Sequence, residues 1–204
     1  MRLYDEQVLP RMINVLLGTK TLTQIRAETC AGLRGDVVEI GFGSGRNVPH
    51  LPRSVTGLWP VEPSNVGRKL AARRVAASWV PIHEAGLDGQ HLEHPDDCFD
   101  CALSTATLCT IPDVKHALAE LRRVVKPGGA FHFAEHGLSP DRRVARTQAR
   151  VDGFQHRVAG GCHLTREIED LIEGAGFEIL TLHHTYLPGP KAWGYMSVGK
   201  ARNP

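Results

Sequence analysis

The chain has 204 residues, 42% of them hydrophobic, and a formal net charge of +2. That length suits one domain with a small addition and a sizeable core, and the mild charge argues against a nucleic-acid partner. No apolar run approaches the ~20 residues that span a bilayer, the N-terminus is acidic early and has no small-residue cleavage site, and five cysteines without framework spacing place the chain in a reducing cytoplasm.

Residues 1–34 read as an N-terminal helical segment, a cap or lid on the domain formed by residues 35–204. Val8, Met12, Val15 and Leu16 recur at helical spacing, Gly18-Thr19 marks a break, and a second helix runs from Leu22 to Ala31. Three readings are open: a helix covering a sheet, a lid over a site, or an amphipathic surface segment in peripheral contact with a membrane. From residue 35 to 204, strand and helix patterns alternate. The expected strands are Val37–Ile40, Ser54–Val61, Trp79–His83, Phe99–Ser104, Ala130–Ala134, Glu178–His183 and Trp193–Val198. Helices are expected over Asn65–Ala77, Pro112–Val125 and Glu167–Glu173. This alternation predicts a parallel sheet covered on both faces. The last two strands are joined only by a loop with Pro188, Gly189 and Pro190, so they must pair antiparallel.

Chemistry concentrates at the expected carboxyl ends of the strands, where open α/β sheets bind ligands. The first strand runs through Glu39 into Gly41-Phe42-Gly43-Ser44-Gly45, and Arg46 stands where the dinucleotide fingerprint needs its last glycine. Glu62 follows Gly41 at about 20 residues, the spacing at which a carboxylate accepts both hydroxyls of a ribose. Leu87-Asp88 follows the third strand, and Ser104-Thr105 ends the fourth. Each has a plain alternative: Glu62 precedes Pro63, and Leu87-Asp88-Gly89 is a good turn sequence. Four candidates in the right order outweigh those alternatives together.

That order, continued by Val61-Glu62-Pro63-Ser64, Phe99-Asp100 and Leu121-Arg122-Arg123-Val124-Val125-Lys126-Pro127-Gly128-Gly129, resembles the class I S-adenosylmethionine-dependent methyltransferases over about residues 35–200. Ser104-Thr105-Ala106-Thr107-Leu108-Cys109-Thr110, Phe131-His132-Phe133-Ala134-Glu135-His136 and Gly161-Cys162-His163-Leu164-Thr165-Arg166-Glu167 are similar to the animal thiol methyltransferases and their bacterial relatives. The resemblance implies a three-layer, Rossmann-like α/β sandwich with a seven-stranded, mostly parallel sheet and an antiparallel C-terminal hairpin. It implies S-adenosylmethionine as cofactor. Gly41, Gly43 and Gly45 back the methionine part, Glu39 lies near its amino group, Glu62 holds the ribose hydroxyls, Leu87 and Asp88 flank adenine, and Ser104 sits near the methionine. Two departures stand out. Asp88 lies one residue beyond the usual acidic position of the animal members, and their N-terminal membrane anchor is not found in this sequence.

The implied reaction is methyl transfer to a small, lipophilic acceptor, with thiol sulfur the first choice. The alternatives are N-, O- or C-methylation of a lipid headgroup, quinone or other metabolite, and a cofactor-binding module without turnover. His136 is the base candidate, since an imidazole pKa near 6.5 suits proton transfer at neutral pH. Tyr4, Cys162 and His163 are candidate substrate contacts. No metal is expected. His132 and His136 lie about 13 Å apart on an extended strand, and the loop Ser104-Thr105-Ala106-Thr107 lacks the aspartates of a catechol-type site. Cys98 and Cys101 form a lone C-x-x-C and read as structural thiols. The basic run from Arg142 to Arg157 is either a solvated helix face or a greeting surface for an anionic substrate. A short-chain dehydrogenase is excluded, because neither Tyr186 nor Tyr195 has a lysine four residues on; an amino-group nucleic-acid methylase would need a Pro-Pro-aromatic motif after the fourth strand.

Overall fold

In the computed structural model, which describes residues 3–83 and 86–204, the valine-rich run before the glycine loop becomes an inner strand. Strand β1 (Gly35–Ile40) lies between β2 (Val55–Val61) and β3 (Phe99–Thr105), and Val37, Val38 and Ile40 are buried on its two faces. Strand β4 (Val125–His136) follows in parallel, and the sheet is completed by β5 (Glu178–Tyr186) and β6 (Tyr195–Arg202) in the order β2-β1-β3-β4-β6-β5. β6 runs antiparallel to both β4 and β5, and the short Pro-Gly-Pro connection requires the second of these.

Helices cover both faces. On one, α4 (Val114–Val124) and α6 (Ile168–Gly174) bury Leu118, Leu121, Ile168 and Ile172 against Val38, Ile40, Phe131 and Phe133. On the other, α2 (Lys20–Cys30) sets Leu22 and Ile25 against Ala134, Met196 and Val198, while α3 (Asn65–Ala76) brings Ala71 to Val37, Leu58 and Leu103. The hydroxyl of Thr19 caps α2 by accepting from the Leu22 amide, which explains the break at Gly18-Thr19. Before it stand a π-helical turn (Tyr4–Val8) and α1 (Leu9–Leu16). Helix α5 (Arg142–Val158), capped by Asp141, carries the basic run, and a single turn, α7 (Lys191–Gly194), delays the last strand to Tyr195.

The sheet has six strands rather than seven. Trp79–His83 makes only a bridge at Ile82 to Leu58, with hydrogen bonds from Leu58 N to Pro81 O (2.9 Å) and from His83 N to Leu58 O (2.9 Å). Pro81 has no amide hydrogen, so the ladder does not lengthen there. The Lys126-Pro127-Gly128-Gly129 turn falls inside the start of β4, where Gly128 N donates to Asn203 O (2.7 Å) and Asn203 N to Gly129 O (2.9 Å). That pairing to the C-terminal residues was invisible to a local reading.

Candidate active site

β1 delivers its glycines to the carboxyl edge in left-handed conformations, Gly41 at φ +76° and Gly43 at φ +55°. They do different work. A Cβ on Gly41 would stand 2.0 Å from Thr107 Oγ1, so glycine is required for the loop after β3 to lie on it. A Cβ on Gly43 would meet nothing nearer than the Gly41 carbonyl at 3.9 Å, so that backbone faces open space. Glu62, just past β2, accepts from Gly43 N (2.6 Å) through one oxygen and from Ser64 N (2.7 Å) through the other. Each carboxylate oxygen has about two acceptor sites, so one remains on each for a ligand diol.

Glu39 lies beneath the loop, 1% exposed. Its Oε1 accepts from Asn47 Nδ2 (2.8 Å), while Oε2 has no partner among the described residues. Burial pushes this carboxyl up to about 8, against the opposing pull of Asn47 and Arg26. Glu135, at the end of β4, is likewise raised to about 7 by burial, although it accepts from Ser104 Oγ (2.7 Å), Thr107 N (2.8 Å) and Leu108 N (2.9 Å). Both groups hold protons in the folded chain at pH values where the unfolded chain, near 4.5, has lost them. Their stabilising contribution is therefore complete below about pH 4.5 and lost as pH rises toward 7 for Glu135 and 8 for Glu39. Denaturation midpoints should fall across that window, and Glu39→Gln should flatten the fall. Parallel pH profiles for the two proteins would contradict this.

A cavity of about 520 Å³ opens at this edge. Its floor is the glycine loop, Asn47, Glu62 and Thr105–Thr107; Leu87 and Asp88 form one side; Leu9, Pro10, Ile13, Asn14 and Leu17 from the N-terminal segment form another. The N-terminal helix is held there by Ser44 Oγ donating to Asn14 Oδ1 (2.7 Å), by Arg46 bonding the Asn14 carbonyl, and by Tyr4 Oη donating to Val158 O (2.8 Å). Of the expected cofactor residues, Gly41, Gly43, Glu62, Leu87 and Asp88 line the cavity. Asp88 also accepts from both the backbone and side chain of Gln90, which hold it below the usual carboxylate range. Gly45 packs under Phe42 and Ala71 instead. Ser104 is fully buried with its hydroxyl engaged by Glu135, and its neighbour Thr105 reaches the wall.

The expected catalytic and acceptor contacts stand outside this lining. His136, Cys162 and His163 are not among the lining residues, and neither is Tyr4. His163 is committed to Asp152 (Nδ1 to Oδ2, 3.2 Å) and stacks on His156 with ring centroids 4.4 Å apart. His132 turns away to the Thr29 carbonyl (2.8 Å). The chain instead gathers His136 with Cys109 and Cys162, one donor atom from each lying within 4.8 Å of the others. The nearness of Cys109, then of His136, holds the Cys162 thiol below the usual thiol range against its burial. Asn47, Thr107 and Cys109 are not singled out as site residues by the sequence, and Glu135 is met there only as a neighbour of His136. For Asn47 there was a signal, an amide side chain two residues past the last loop glycine; for the others only the fold brings them in.

The residues present fit S-adenosylmethionine: an open glycine cradle at Gly43 and free acceptor sites on Glu62, while the expected cofactor residue Glu39 is buried beneath the loop and does not itself line the cavity. Residues 38–133 match the family model described as a methyltransferase domain. Thiol S-methyltransferase TMT1B of Rattus norvegicus is 30% identical over 172 residues, covering 81% of this chain and 69% of that protein. Thiol S-methyltransferase TMT1A of Homo sapiens is 28% identical over 162 residues, covering 77% and 65%. Among solved structures, an S-adenosylmethionine-dependent methyltransferase from Methanosarcina mazei superposes with a TM-score of 0.65 at 20% identity, covering 82% of this chain and 91% of that one. The fold and its cavity therefore define a class I methyltransferase site. The chain belongs to the class I S-adenosylmethionine-dependent methyltransferases, and S-adenosylmethionine is its methyl donor.

Proposed function

We propose that this chain methylates the thiol sulfur of a small, lipophilic acceptor. The observation that carries the reading is the 30% identity, over most of this chain, to a protein named a thiol S-methyltransferase. The cavity supports it. Around its cofactor floor stand Leu9, Pro10, Ile13, Leu17, Ile111 and Pro112, an apolar wall suited to a lipophilic body. When bound, S-adenosylmethionine supplies a sulfonium methyl that an acceptor displaces in line. The chain's part is to hold donor and acceptor aligned and to keep water out. Glu62 takes the ribose hydroxyls, Gly43 lets the backbone approach the methionine portion, Gly41 seats the loop after β3, Glu39 braces Asn47 from beneath the floor, and Leu87 and Asp88 flank adenine. A thiol with pKa near 8.5 ionises enough without a dedicated base, and His136 is not among the lining residues.

Val8, Met12, Val15 and Leu16 are exposed on the N-terminal segment and support peripheral contact with a membrane, from which a lipophilic acceptor would enter under the same helix. No helix among the described residues is long and apolar enough to cross a membrane. Five free cysteines support a reducing, cytoplasmic setting. The test is a panel of thiols, phenols and amines assayed by release of S-adenosylhomocysteine. Turnover confined to thiols, rising with acceptor lipophilicity, is expected. Comparable turnover on phenols or amines would replace the thiol reading with the wider metabolite one.

A further inference from the structure

Three segments distant in sequence bring two thiols and an imidazole together. Cys109 lies in the loop after β3, His136 at the end of β4, and Cys162 in the loop after α5. Their two sulfurs and one ring nitrogen all lie within 4.8 Å of one another. The framework fixes this meeting. Glu135 pins the Thr107 and Leu108 amides, His163 N donates to Cys109 O (2.9 Å), Cys162 N donates to Ala159 O (3.2 Å), and His136 is paired with Met196 across β4 and β6.

The donor chemistry is selective. Cys109 is 4% exposed and His136 8%, while Cys162 is half-buried. The buried Nε2 of His136 has no hydrogen-bond partner among the described residues. A buried polar atom left that way is costly and calls for a partner. Thiolate and imidazole ligands without carboxylate suit a borderline or soft cation and not magnesium or calcium. Two thiolates and a neutral imidazole would cancel the charge of a divalent ion, so the filled site would be neutral, as burial demands. In a tetrahedral zinc site with Zn–S bonds of about 2.3 Å, the sulfurs stand about 3.8 Å apart, so the three side chains need close by no more than about 1 Å.

We propose that Cys109, His136 and Cys162 bind one zinc ion, with a fourth position open on the solvent side of Cys162. Each thiol that ligates releases its proton to solvent as the sulfur–zinc bond forms. The ion ties the loop after β3 to the loop after α5. Thr110 and Gly160, close in sequence to these ligands, line the cavity, so metal binding stiffens the acceptor wall. The expectation of no metal rests on the strand spacing of His132 from His136, with Glu135 the adjacent acidic residue. His132 and Glu135 are committed elsewhere, to Thr29 and to the loop after β3, and the partners come from other elements. The site stands whether or not the acceptor is a thiol.

The test uses the full chain, stripped of metal by a chelator in the presence of a reductant and titrated anaerobically with cobalt(II), then zinc. One equivalent of cobalt should give a thiolate-to-cobalt charge-transfer band and tetrahedral visible bands, and zinc should bleach both. Cys162→Ser, at the partly exposed ligand, should weaken binding by more than about 100-fold, since even losses outside the ligand shell approach that. His136→Gln should do the same, and circular dichroism melts will show whether each variant is folded. Cys98→Ser, at the amino end of β3, should bind as the parent does. Absence of the charge-transfer band in the parent, or unchanged affinity in folded Cys162→Ser, would overturn the proposal. So would a Cys109–Cys162 disulfide that persists in the reducing buffer and leaves no ligating thiols.

Discussion

Glu62→Ala lowers affinity for S-adenosylmethionine by about 100-fold or more while the chain still folds. The magnitude follows from the carboxylate's free acceptor sites. Each hydrogen bond to a charged group is worth roughly 1.5–3 kcal/mol, and a ribose diol uses two. Losing both removes at least about 3 kcal/mol, or two decades of binding. The Gly43 and Ser64 amides also lose their partner, which loosens the cradle at its ligand-facing glycine. Folding tolerates the change because Glu62 sits at the cavity, where water can replace it at both amides. Glu62→Gln, which keeps one acceptor oxygen, should fall between the two. Calorimetry reads the effect directly; wild-type affinity in folded Glu62→Ala would remove the ribose assignment.

The second large effect separates two glycines that look alike in sequence. Gly41→Ala should cost stability, and Gly43→Ala should cost affinity. At Gly41 the new Cβ meets Thr107 Oγ1 at 2.0 Å and Thr107 Cβ at 2.6 Å. Thr107 cannot retreat, because its amide is held by Glu135 at 2.8 Å and its hydroxyl by the Thr105 carbonyl at 3.1 Å. Overpacking of about 1–3 kcal/mol therefore adds to the left-handed backbone penalty of about 1–2 kcal/mol. At Gly43 only the backbone penalty applies to folding, since no atom lies within contact of the Cβ except at 3.9 Å. The methyl there stands where the ligand must approach, so S-adenosylmethionine affinity should drop at least about tenfold. Combining Gly41→Ala with Thr107→Gly should restore much of the stability, as expected for coupled neighbours. Equal melting points for the two single variants would contradict the division of labour.

What could be read in advance depends on how local each signal is. The strand entering the glycine loop, Glu62 at its spacing and the antiparallel end of the sheet rest on pattern and connection length, and all three lie where the pattern puts them. The seventh strand is cut short by prolines: Pro81 withholds the donor before Ile82, and Pro60 on the partner strand withholds the donor past it. Ser104 was legible as a strand end, but the side to which its hydroxyl is committed depends on Glu135, a residue from the neighbouring strand. His136 illustrates the same limit. Its position at a strand terminus suggested a base facing the cavity. His136 is not among the lining residues and stands beside two cysteines that no spacing rule connects. Side-chain clusters assembled from several loops are set by tertiary contacts, and a single sequence carries no record of those.

The most direct test of thiol methylation is a competition within one molecule. The protein is given methyl-labelled S-adenosylmethionine and a lipophilic mercaptoalcohol, and the product is examined by mass spectrometry. The account predicts label on sulfur alone, with one S-adenosylhomocysteine formed for each thioether. Label on oxygen, or S-adenosylhomocysteine formed without a methylated product, would contradict it.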